Sequence, residues 1–144
     1  MERYLPINHP WIDSQRAPIY RVNFPATTSD DSLRGYCRAV EKWSGQVRYP
    51  IAWVMDLSRV TSVSAQQRAA FAKYMAAMRK FDEQYTRASA LILPSTLLRG
   101  IATAVFWLYE PTFPHRSFAD HDEALSWARE ALGDMPARPS LRPS

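Results

Sequence analysis

The chain has 144 residues, 47% of them apolar, with 18 Lys and Arg, 14 Asp and Glu, three His and one Cys. That length fits one domain around one hydrophobic core, and the apolar fraction excludes a disordered chain. Cys37 stands alone, which excludes an internal disulfide framework and a cysteine-cluster zinc site. The uncharged stretches 88–98 and 100–109 fall well short of the roughly 20 apolar residues of a membrane span. The opening residues hold no apolar run, so neither a signal peptide nor a membrane partner is expected, and the expected location is cytoplasmic.

The formal charge of +4 is concentrated in 51–100, which carries seven basic and three acidic groups. Much of the excess falls on one predicted helix, as Arg68, Lys73, Arg79 and Lys80. There is no Lys/Arg block, no aromatic–basic motif of an RNA-binding sheet and no zinc-finger spacing. A solvated helix face is the reading, and a nucleic-acid partner is not expected.

The head, 1–16, is interrupted by Pro6 and Pro10, which restricts it to extended or edge structure, with Trp11-Ile12-Asp13 as a short first strand. Ile19-Tyr20-Arg21-Val22-Asn23-Phe24 alternates and stops at Pro25, as a strand with one wet face does. The hydroxyls and acids of 27–31 then offer N-caps for a helix bearing Leu33, Tyr36, Cys37, Val40 and Trp43, which Gly45 ends. Ile51-Ala52-Trp53-Val54-Met55-Asp56-Leu57 is continuous enough for a central strand covered on both faces.

Ser64-Ala65-Gln66-Gln67 reads as a capping box opening a helix with Phe71, Tyr74, Met75, Met78 and Phe81 inward. Ala88-Ser89-Ala90-Leu91-Ile92-Leu93 is a second buried strand closed by Pro94, and Ser95 caps a third helix running to Tyr109. A short strand over 115–119 precedes a last helix opened by Asp120 and stopped by Gly133. The tail 134–144, rich in Pro and Arg, carries no apolar period and reads as a mobile extension. The order β(β)αβαβαβα predicts an α/β domain over 17–133, with a mostly parallel sheet of four to five strands and helices on its faces. In such sheets function gathers in the loops at the C-terminal strand ends, here 25–31, 58–64, 94–96 and 120–122.

The element order and the segment WVMDLSRVTSVSAQQRAAF resemble the STAS fold of anti-sigma-factor antagonists and sulfate-transporter tails. The chain is more closely similar to bacterial STAS-like proteins of unknown function. These pair Asp56-Leu57-Ser58-Arg59-Val60 with Arg99-Gly100 and Phe106-Trp107, and then with Phe118, Glu123-Ala124 and Trp127-Ala128. The resemblance implies a non-catalytic signalling module that recognises a protein partner. Laid on the antagonists, Ser64, Ala65, Gln66 and Gln67 take the Asp-Ser-Ser/Thr-Gly positions, so the phosphoacceptor falls on Ala65, which has no hydroxyl. Phosphorylation at that position is therefore not expected. Ser62 and Ser64 lie near the same helix N-terminus, where capping is the simpler role.

Catalytic readings fail on missing parts. Asp56 and Ser95 have receiver-like positions, yet no acidic pair follows the first strand and no Lys follows the last. No G-x-S-x-G elbow is present, and the four glycines form no phosphate-binding loop. Cys37 falls on a buried stripe, and His115 and His121 match no ligand spacing, so neither a metal nor a cofactor is expected. Two surfaces remain. Asp56, Ser58, Ser62, Ser64 and Ser95 outline a regulatory or ligand loop, whose cleft would give the alternative function, a small-molecule or lipid sensor. On the third helix, spacing turns Leu97, Ile101, Ala104, Val105 and Leu108 toward the sheet. Arg99, Gly100, Ala102, Thr103, Phe106 and Trp107 then face outward. A homodimer through Arg99, Gly100, Thr103, Phe106 and Trp107 is the expected assembly.

Overall fold

The computed structural model describes residues 4–133; the tail expected over 134–144 lies outside the described residues. In chain order the elements are β1 (Ile12–Asp13), β2 (Ile19–Asn23), α1 (Asp30–Ser44), β3 (Ile51–Asp56), α2 (Ala65–Ala77), α3 (Arg79–Tyr85), β4 (Thr86–Ile92), α4 (Thr96–Leu108), β5 (His115–Phe118) and α5 (His121–Gly133). The strands make one sheet in the order β1-β2-β3-β4-β5. β1 runs antiparallel to β2, and all other pairs are parallel. This is the α/β architecture that the switching apolar periods predict.

β3 sits at the centre because Ile51, Ala52, Trp53 and Val54 are all buried and need cover on both sides. On one side Ile19, Ala52, Val54, Ala90 and Ile92 meet Ala124, Leu125 and Ala128 of α5. Alanines on both surfaces let the helix approach closely. On the other side lie large rings. Tyr36 of α1 is fully buried and stacks on Trp11 at 5.3 Å, with Phe24 at 5.6 Å and Tyr74 at 5.9 Å around it.

The head is built into this aromatic side. The Leu5 carbonyl accepts from the Tyr20 hydroxyl at 2.7 Å and from Trp43 Nε1 at 3.0 Å, while the Leu5 amide donates to the Tyr49 hydroxyl at 2.8 Å. Ring-bearing side chains thus meet their polar requirement on a segment that periodicity leaves featureless.

Two expectations about helices are corrected. The single helix expected from Ser64 through Phe81 breaks at Met78, whose φ of −87° and ψ of 1° leave the helical region. β4 starts immediately after Tyr85, with no loop to redirect the chain, so the bend aims α3 at the start of that strand. The bend buries Met78 and Asp82. α4 is turned by about one residue step, roughly 100°, from the face expected of it. Leu98 and Val105 are buried, Ile101, Ala102 and Phe106 pack on the same cluster, and Leu97 and Leu108 are exposed. The helix is apolar nearly all round, so its stripe does not determine its orientation. The partner surface does: α4 packs on α2, and Val60 and Leu93 receive Leu98.

Close packing between α5 and the sheet leaves no room for added volume. Ala128→Leu is expected to lose about 1–3 kcal/mol in urea denaturation, whereas Ala69→Leu on the exposed face of α2 stays within about 0.5 kcal/mol of wild type.

Candidate functional site

The C-terminal strand ends hold a cavity of about 120 Å³ on the aromatic side of the sheet. Its floor is Phe24, Met55, Leu57 and Leu91; Phe71 of α2 and Ile101, Ala102, Val105 and Phe106 of α4 form its walls; Val60 and Val63 of the loop 57–64 close it. The surface is almost wholly apolar. Ser64, Gln67 and Arg68 beside it are already committed. Ser64 Oγ accepts from the Gln67 amide at 3.0 Å, and the Gln67 side chain accepts in return from the Ser64 amide and donates to the Thr28 carbonyl at 2.9 Å. Arg68 donates to the Val63 carbonyl at 2.8 Å. These bonds fasten the loop without aiming a nucleophile or a base inward.

The expected loop residues divide between three places. Asp56 follows Met55 in the strand, so it lies on the α5 side of the sheet with Ala52 and Val54, away from the cavity. Its Oδ1 accepts from the Ser58 amide at 2.9 Å and the Ser58 hydroxyl at 2.6 Å, and Oδ2 accepts from Arg21 at 2.9 Å. Partial burial pushes this carboxyl up, but the Ser58 bonds and the Arg21 guanidinium outweigh it and hold it below its ordinary value. Ser64 and Ser95 are N-caps, the latter accepting from the Leu98 amide at 3.2 Å. Ser62 reaches the cavity rim.

The expected interface residues also separate. Trp107 is 85% exposed, and Gly100 and Thr103 share its outer face, flanked by Leu97 at 62% and Leu108 at 58%. Phe106 does not belong with them. Its ring lies 4.7 Å from that of His115 and forms part of the cavity wall. Arg99 caps locally, donating to the Leu93 carbonyl and Thr96 Oγ1, both at 3.2 Å. Of the cations expected on a solvated helix face, Arg79 pairs with Glu83 at 2.9 Å, and Lys73 and Lys80 are exposed. Burial, with a smaller contribution from Glu41, pushes the Cys37 thiol up to about 12.

One chemically distinctive residue has no motif to announce it. Asp82 is 7% exposed, and Thr86 Oγ1 donates to its Oδ1 at 2.7 Å. Burial pushes its carboxyl up to about 6, opposed only by the Thr86 bond. In sequence it is an acid in a charged stretch, RKFDEQY, and only the bend at Met78 turns it inward.

The mostly parallel five-stranded sheet with its antiparallel first strand and helices on its faces is the SpoIIAA-like α/β fold, the STAS type. A crystal structure of an uncharacterized DUF3478-family protein with a SpoIIAA-like fold, from Shewanella loihica PV-4, matches this chain with a TM-score of 0.56. The match is at 14% identity over 89% of this chain and 98% of that one, a likeness of fold. No family model matches the chain, and no curated protein matches it by sequence. Among the described residues no helix is long and apolar enough to cross a membrane.

Asp82 and Asp56 give opposite pH signatures. A raised folded-state pKa means that Asp82 stabilises the fold below about pH 4 and that this contribution is lost as pH rises through about 6. Asp82→Asn keeps an acceptor for Thr86 and is expected to raise stability at pH 7 by about 2–3 kcal/mol, with a flatter profile between pH 4 and 6. Asp56 acts in the other direction, its stabilisation present at neutral pH and lost as pH falls below the ordinary carboxylate range. Urea denaturation of wild type, Asp82→Asn and Asp56→Asn across pH 3–8 checks both signs.

Proposed function

We propose that this SpoIIAA-like protein is a non-catalytic binding module whose ligand is a small apolar molecule held at the C-terminal strand ends. The observation that carries this reading is the 120 Å³ cavity with its almost wholly apolar surface. A pocket of that size and character suits one ring or a short alkyl chain, since an apolar cavity stays dry and gains dispersion contacts when filled. The committed hydrogen bonds of Ser64, Gln67 and Arg68 support a binding role over a chemical one. Serine phosphorylation is not needed: the helix N-terminus at Ser64 is satisfied by its own capping box.

Ala102→Leu places three further carbons at the cavity wall. It is expected to weaken propylbenzene binding by about tenfold or more, followed by amide shift perturbation, while the circular dichroism spectrum stays that of wild type. Intact mass measured under native conditions checks for a co-purified occupant. Failure of propylbenzene to perturb Leu91, Ala102 and Val105, together with an unadorned native mass, would remove the reading.

A second reading has its own support. The outer face of α4 presents Trp107, Leu97 and Leu108 beside Gly100 and Thr103, with no charge from Gly100 to Leu108. An uncharged helical face of this kind suits a second copy of the same chain, because like faces can meet about a twofold axis without repulsion. On this reading wild type sediments as a dimer and Trp107→Glu as a monomer. At 85% exposure the tryptophan contributes little to the fold itself, so thermal stability of the monomer should change little.

A further inference from the structure

Behind the first cavity lies a second, of about 70 Å³, and the two share Met55, Phe71, Leu91 and Phe106 as walls. Its chemistry differs from that of its neighbour. Asp82 lines it, and while Thr86 satisfies Oδ1, Oδ2 accepts no hydrogen bond from the described residues. Arg79, on the same short helix, is occupied by Glu83. The groups set around the carboxyl by neighbouring elements are the phenols of Tyr36, Tyr74 and Tyr109, with Ser89 and His115 along the cavity wall. A carboxylate held in a ring-lined space by one hydroxyl gains from a further charged donor, which a ligand can supply. Trp53, Phe71, Tyr74, Phe106 and Phe113 line the same space, and aromatic faces attract cations. An acid among rings is the chemistry that recognises an ammonium group.

We propose that the two cavities form one site for an apolar primary amine, its hydrocarbon part in the larger chamber and its ammonium group on Asp82 in the smaller. This rests on the reading of the larger cavity as a ligand site and adds the polar end. Phe106 is the shared wall that α4 carries. Its ring is packed on one side by His115, and in the proposed site a rotation about its side-chain bonds joins the two chambers. The ammonium–carboxylate pair then sits in a low-dielectric space as a charge-assisted hydrogen bond, with the Thr86 hydroxyl holding the other oxygen in place.

The test compares 3-phenylpropylamine with propylbenzene, which share a hydrocarbon part, by calorimetric titration at pH 7. Wild type is expected to bind the amine about tenfold or more tightly than the hydrocarbon. Asp82→Asn should bring the two within about threefold while leaving propylbenzene within about twofold of its wild-type affinity. In wild type, amide shifts at Ser89 and His115 should follow the amine and not the hydrocarbon, a measurement independent of the variant's folding. If propylbenzene binds and the amine binds no better, or if the preference survives Asp82→Asn, the amine site is wrong and the apolar cavity stands. If neither compound binds, both readings fall.

Discussion

Burial of Ile51, Ala52, Trp53 and Val54 on both faces of one strand is the constraint from which the rest of the molecule follows. A strand with no wet face must be central, so β2 and β4 pair with it in parallel and the chain must cross over the sheet between them. The crossovers supply helices to both sides, and only short links remain at the strand ends. Function can then lie only where those links gather, on the helices, or in whatever space they enclose.

The two faces solve the covering problem with different materials, and the difference produces the site. Against α5 the sheet offers Ala52 and Ala90, and the helix answers with Ala124 and Ala128. Small side chains meet with their backbones close, which suits one helix lying over three strands. On the opposite face Trp53, Tyr20, Tyr36, Trp43, Phe71 and Phe24 hold the helices farther from the sheet. Tyr20 and Trp43 meet edge to face at 4.8 Å, as the ring quadrupoles favour. Both chambers behind α4 lie on this ring-rich side. Head residues enter the same layer: Trp11 lines the larger chamber, and the Leu5 carbonyl ties two of the rings down.

Strand periodicity and capping chemistry made the architecture readable. Continuous apolar runs at β3 and β4, alternation at β2 and hydroxyls at Ser29, Ser64 and Ser95 are local signals, and each corresponds to a local physical requirement. The bond from the Ser58 amide to Asp56 is a local requirement of the same kind, since an acid at a strand end reaches the amide two residues on. What escaped reading was decided at a distance. α4 has apolar residues on most of its circumference, so its rotation is set by α2 and the loop at Val60, and spacing arithmetic chose the wrong arc. Asp82 looks like one more surface acid until the break at Met78 redirects α3. The cavity is walled jointly by β3, β4, α2, α4 and the loop 57–64, and no single residue encodes that.

α4 therefore belongs to two environments at once. Its inner arc, with Ile101, Ala102, Val105 and Phe106, is cavity wall, while its outer arc carries Trp107 to solvent. It has few ties to the sheet and rests on α2, so displacement of its inner arc does not require breaking strand pairing. Neighbouring residues Phe106 and Trp107 point to opposite environments, and a rigid helical turn fixes the angle between them. An occupant that moves Phe106 must either turn its side chain or move the helix that also carries Trp107. A side-chain rotation keeps the two surfaces independent, whereas a helix shift links the cavity's contents to the outer face. Differential affinity of a ligand for two helix positions is the only thing that can drive such a link, and the size of that difference bounds its strength.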